Sequence, residues 1–125
     1  MKSVVLKIDL SKAYDRVNWI FLRVMMTKMG FSVSFITWVL SSITSVSFVV
    51  LINGVASNFF RSDRGLRQGC PLAPLLFLIV VEGLSRYILN AQHSGDFQGI
   101  SFGNNIILSH ILFVDDIILV SDGYE

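Results

Sequence analysis

The sequence predicts an α+β fold in which antiparallel strands are backed by helices. Three observations carry that expectation. Short β-branched runs at residues 4–9, 46–52, 55–61, 106–114 and 117–121 have the length and composition of strands. Apolar residues recur at helical spacing after the first run, and a third apolar segment opens behind Pro71 and Pro74, where a helix's first turn has no N–H bonds to lose. Asn53-Gly54 lies between two of the β-branched runs, a strong hairpin signal that makes those strands antiparallel neighbours.

Taken in order, residues 4–9 predict a buried strand with Asp9 at its C-terminal edge. Ser11 is a suitable cap for a following helix in which Val17, Ile20, Phe21, Val24, Met25 and Lys28 repeat at helical spacing, closed by Gly30. Ser32 or Ser34 starts a second helix through Phe35, Ile36, Val39 and Leu40. The Asn53-Gly54 hairpin follows, then a polar, glycine-punctuated loop at residues 64–70. Residues 75–81 are apolar on every side, so the third helix is expected to be central and buried, running to about Ala91. Two strands then flank Asp115-Asp116. No internal repeat, low-complexity tract or linker interrupts the 125 residues, which suit about one domain.

Composition narrows the function classes. Hydrophobic residues make up 53% and charged residues 15%, which excludes a disordered chain. Cys70 is the single cysteine, so no disulfide framework exists, and with no secretory signal in view an intracellular location is expected. The net charge is only +1, but residues 1–70 hold nine basic and three acidic side chains, whereas residues 71–125 hold one basic and six acidic. Such a division suits a site with a polyanion on one side and cations on the other. Residues 31–60 carry no charge, yet serines, threonines, asparagines and the hairpin signal break that stretch, and acids interrupt the other apolar segments. A buried core is preferred to a membrane span, with a small membrane protein as the other reading.

Asp115-Asp116 is the most informative pair. Adjacent carboxylates between apolar flanks repel each other, and burial would raise both pKa values unless a cation compensates. A two-residue turn frees neighbours from the strand's alternation, so the pair can converge on a metal; an exposed Asp-Asp turn is the plain alternative. Asp9 is another acid at a strand end, with an N-cap as its plain reading. Three gathered carboxylates can hold two Mg²⁺ ions about 3.5–4 Å apart, an arrangement used for in-line phosphoryl transfer.

Lys7-Ile8-Asp9-Leu10-Ser11-Lys12-Ala13-Tyr14-Asp15-Arg16-Val17 resembles the first catalytic motif of reverse transcriptases. Arg64-Gly65-Leu66-Arg67-Gln68-Gly69-Cys70-Pro71-Leu72-Ala73-Pro74-Leu75-Leu76-Phe77 resembles their second, and Phe113-Val114-Asp115-Asp116 their third. Order and spacing resemble the non-LTR (LINE-type) retrotransposon branch across essentially the whole chain.

The resemblance implies a partial reverse transcriptase domain over residues 1–125: a palm-like antiparallel sheet backed by helices with part of the fingers, truncated at both ends. The remaining fingers and the thumb would be supplied by the same longer polypeptide. It implies Asp9, Asp115 and Asp116 as catalytic metal ligands for two Mg²⁺ ions, with Mn²⁺ as a substitute, Asp116 being the lesser ligand. Tyr14 falls at the family's aromatic gate, where a ring would clash with a 2′-hydroxyl. Gln68, Gly69 and Arg67 fall in the loop that contacts nucleotide and template. RNA template, DNA primer and deoxynucleoside triphosphates are the implied partners, with no membrane. The isolated chain is expected to be inactive, and a non-catalytic remnant of a retroelement, acting only as a folded or interaction module, is the alternative. Val114 and Ala73 stand where many relatives have alanine and serine. Asp15 is expected to serve a helix end or to pair with Arg16 or Arg23, and neither His93 nor His110 has a metal-ligand spacing.

Overall fold

A computed structural model describes residues 3–103 and 106–122. In chain order the elements are β1 (Ser3–Asp9), a 3₁₀ turn (Tyr14–Arg16), α1 (Trp19–Lys28), α2 (Val33–Thr44), β2 (Ser47–Phe48), β3 (Leu51–Ile52), β4 (Val55–Ala56), β5 (Phe60–Arg61), α3 (Ala73–Ser94), β6 (Ile100–Phe102), β7 (Ile106–Leu108), β8 (His110–Phe113) and β9 (Asp116–Asp122). Helices and small antiparallel sheets are mixed, as the sequence predicts. The chain divides into two compact units, Tyr14–Val80 and the combination of Met1–Ala13 with Val81–Glu125.

In the unit spanning Tyr14–Val80, α1 begins later than expected. Lys12 has φ +54°, outside the right-handed helical region, so Ser11 cannot start the helix. Asn18 caps it instead: its Oδ1 accepts from the N–H groups of Ile20 and Phe21 at 2.8 and 3.0 Å. Leu22 and Met26 form the buried stripe and are fully enclosed, each contributing roughly 1.5–3 kcal/mol by leaving water. The buried face is not the expected stripe: Ile20, Phe21 and Val24 stay exposed and Met25 is half-buried. Of the two candidate starts, Ser32 rather than Ser34 caps α2, its Oγ accepting from the Phe35 N–H at 3.3 Å. The hairpin also forms as predicted, Asn53 and Gly54 adopting φ +50° and +81°. It carries one extra residue on its second arm: Phe48 pairs Phe60 and Leu51 pairs Ala56, leaving two residues opposite three.

In the other unit, three strands pair antiparallel in the order β1-β9-β8, and β6 pairs with β7. β1 is an edge strand, and Val4, Val5 and Leu6 remain 51–65% exposed; this corrects the expected buried strand. Burial falls on the central strand, at Ile117 and Val120. The predicted strand over residues 106–114 is two strands, because the chain breaks at Ser109, a buried residue whose carbonyl accepts the Val120 N–H at 2.9 Å.

Helix α3 starts in the first of these units and ends in the other. It runs to Ser94, three residues beyond the predicted end, and is buried on a stripe rather than all round: Ala73, Leu76, Phe77 and Ile88 are enclosed while Leu75 and Leu78 are exposed. By length and composition it is apolar enough to cross a bilayer, although Glu82 and Arg86 form an i,i+4 ion pair at 2.7 Å in its middle.

Candidate active site

Asp9 ends a strand and Asp116 begins one, so sheet register sets their relation. β1 and β9 pair with Asp9 directly opposite Asp116, and the Leu10 N–H donates to the Asp115 carbonyl at 2.9 Å. Opposed residues of an antiparallel pair project to the same face of the sheet, so Asp9 and Asp116 share one. Lys7, two residues before Asp9, projects to that face as well, and its Nζ lies 3.2 Å from Asp116 Oδ1.

The turn carrying the third motif sits one residue earlier than predicted. Phe113 pairs Asp116, which leaves Val114 and Asp115 as the two turn residues. Val114 has φ +54°, and positive φ at the first central position alone is the mark of a type II′ turn. Asp115 therefore lies in the turn, outside the pleat, and the strand pairing resumes at Asp116. The flanks are not both buried: Phe113 and Val114 are exposed, because the β8 side of the hairpin is a sheet edge, whereas Ile117 is enclosed.

Asp9 and Asp115 are exposed and Asp116 is half-buried. Carboxylate oxygens are the hard donors that Mg²⁺ takes, and Mg²⁺ commonly binds one or two protein carboxylates while keeping several waters. In that chemistry the donor set fits. The backbone places Asp9 opposite Asp116 with Asp115 in the adjoining turn, but among the described residues no three acidic, His or Cys side chains form a group that could hold a metal ion.

The second motif lies in the unit spanning Tyr14–Val80, where it is fastened to the end of the first. Gly65 N–H donates to the Val17 carbonyl and Leu66 N–H to that of Tyr14, both at 2.8 Å, and the Trp19 indole donates to the Gly65 carbonyl at 2.7 Å. Gly65 has φ +95°, and a Cβ there would stand 2.7 Å from the Asp15 carbonyl oxygen. The Tyr14 ring stacks on Phe77, centroids 4.6 Å apart, which holds it in one orientation. Arg67 and Gln68 are exposed and line two cavities of about 570 and 400 Å³, the larger also bounded by Asp15, Trp19, Phe48 and Phe60. Gly69 adopts φ +84° beside them. Asp15 makes no ion pair among the described residues, so the expected pairing with Arg16 or Arg23 is replaced by a position on the cavity wall.

The family model for reverse transcriptase (RNA-dependent DNA polymerase) matches residues 1–125, the whole chain. The chain belongs to the reverse transcriptase family. An uncharacterized mitochondrial protein of Arabidopsis thaliana is 43% identical over 67 residues, 53% of this chain and 55% of that protein. The retrovirus-related Pol polyprotein from the type-1 retrotransposable element R2 of Popillia japonica is 27% identical over 118 residues, 94% of this chain. The match covers 19% of that polyprotein, so this reverse transcriptase segment spans much less than the length of the curated relatives it matches. The non-LTR assignment made from the three motifs stands.

Three side chains with a part in this reverse transcriptase segment escaped sequence reasoning. Lys7 was legible in principle, since residues two apart on a strand share a face. Trp19 and Phe77 were not, because their partners Gly65 and Tyr14 are 46 and 63 positions away and no local pattern announces the pairing.

Proposed function

We propose that this chain is the catalytic core of an RNA-directed DNA polymerase, with a palm-like sheet carrying Asp9, Asp115 and Asp116. The observation that carries the reading is the β1–β9 register, which joins the acids of the first and third motifs at one sheet end. Asp9 and Asp115, with Asp116 as the lesser ligand, would hold divalent metal. Bound Mg²⁺ would supply charge stabilisation for nucleotidyl transfer, in which a primer 3′-hydroxyl attacks the α-phosphorus of a deoxynucleoside triphosphate and pyrophosphate leaves. The chain's own carboxylates orient that charge from a sheet end, a more rigid platform than a loop. Tyr14, fixed by Phe77, excludes a 2′-hydroxyl, and Gln68 and Arg67 offer an amide and a guanidinium to nucleotide or RNA template beside Gly69, whose lack of a side chain leaves its backbone open to close approach. The domain reading is a partial reverse transcriptase domain over residues 1–125, acting inside the cell. Because nonspecific affinity follows the number of phosphates neutralised, a chain of net charge +1 holds a primer–template duplex weakly and is inactive alone.

Titration of the purified chain with a fluorescent deoxynucleoside triphosphate in Mg²⁺ tests this. Saturable binding that is lost in Asp9→Asn and Asp115→Asn is expected, together with no primer extension. Binding that ignores both substitutions sinks the catalytic reading and favours the non-catalytic module, whereas robust Mg²⁺-dependent extension overturns the predicted inactivity.

A further inference from the structure

The Lys7–Asp116 ion pair is the single contact between a cation and the acids of this site among the described residues. We infer that Lys7 is a positioning residue that engages Asp116 and lowers the affinity of the acidic site for divalent cations. The inference rests on the metal-binding reading above. Register explains the geometry: Lys7 is paired with Ile118, two residues beyond Asp116, so the two side chains meet diagonally across one face. Asp9 and Asp115 make no ion pair among the described residues, so the lysine divides the three acids into one that is neutralised within the sheet and two that are not.

Two consequences follow from simple electrostatics. A positive charge beside the acids opposes an arriving dication, and the ion pair occupies an oxygen that would otherwise be a ligand. Lys7 is 64% exposed, so the pair is weak, and metal or substrate can displace it without a large cost. Lys7 thus keeps neighbouring carboxylates from repelling one another before metal arrives and yields when it does.

Mn²⁺ alone is the probe, its free concentration followed by electron paramagnetic resonance during titration of the purified chain. Lys7→Gln is expected to tighten Mn²⁺ binding about two- to tenfold, as removal of one nearby unit charge in a solvent-screened site should. Lys7→Arg, which keeps the charge, is expected to stay within about twofold of the parent chain. If the parent chain binds Mn²⁺, Asp9→Asn abolishes binding and Lys7→Gln changes nothing or weakens it, the positioning role is overturned while the metal reading survives. Equal tightening by Lys7→Arg also overturns it, since charge would not be the cause. No saturable binding by either the parent chain or Lys7→Gln removes the metal reading and this inference together.

Discussion

Gly65 is the residue on which the second motif's position most depends. Its positive φ disfavours any L side chain, and the space a Cβ needs is filled by the Asp15 backbone, which cannot swing aside as a flexible side chain would. Gly65→Ala is therefore expected to destabilise the chain by about 1–3 kcal/mol, read as a lower urea midpoint with an unchanged slope. A midpoint equal to that of the parent chain would mean that the loop has an alternative seat. Val114 presents the reverse case. A β-branched residue at φ +54° costs roughly 1–2 kcal/mol against the ordinary backbone regions, and its exposed side chain has little packing to lose. Val114→Gly is expected to raise stability by up to about 1 kcal/mol after glycine's own entropy is counted, read as a slightly higher urea midpoint. A clear drop would show that the valine is held by contacts stronger than its strain. The sequence marked both positions, one as a glycine in a polar loop and one as an unusual neighbour of the acids. It could not show why either matters, because a clash with a residue 50 positions away and a φ angle are properties of the folded backbone.

At the scale of elements, what was legible was what local chemistry dictates. The Asn53-Gly54 hairpin, a serine cap on α2 and the antiparallel pairing follow from short-range rules and appear as expected, the cap falling on the first of its two candidates, Ser32. The start of α1 was misplaced although its Asn18 cap is a local signal, whereas the break at Ser109 and the exposure of β1 depend on partners distant in sequence, and there the reading failed. His110 illustrates such a partner. It sits on β8 with Nε2 2.8 Å from Ser85 Oγ on α3 and Nδ1 2.9 Å from Ser109 Oγ. Burial pushes its pKa below the ordinary 6.5, with Glu82 opposing the shift. A histidine held neutral in the folded state takes up its proton at lower pH there than in the unfolded chain. The resulting loss of stability begins as pH falls through about 6.5, where the unfolded imidazole charges first, and levels off below the folded value. Urea midpoints at pH 7.5 and 5.5 are expected to fall with acid in the parent chain and to fall less in His110→Gln. An identical drop in both proteins would assign the pH dependence to other groups.

For the molecule as a whole, the decisive property is how much apolar surface the two units leave in water. Charged residues are few, the net charge is +1, and β1 offers Val4, Val5 and Leu6 at a sheet edge whose outer backbone groups have no strand partner among the described residues. Low net charge removes the repulsion that keeps proteins apart, and an unpaired apolar edge is a template for pairing with another chain. The chain in solution is therefore expected to self-associate through β1. Val4→Lys tests this at a position chosen for its face: Val4 alternates with Lys7 and Asp9, so a lysine there charges the edge without adding a cation to the face that carries the acids. Its partner across the sheet is Ser121, so no apolar pair is lost. Light scattering at matched concentration is expected to fall at least about twofold while the circular dichroism spectrum stays the same, because lysine on an edge strand opposes pairing without disturbing its own sheet. Unchanged scattering would move the sticky surface elsewhere, to the exposed apolar residues of α1, α2 or the hairpin, and would leave β1 as an edge that its own twist already protects.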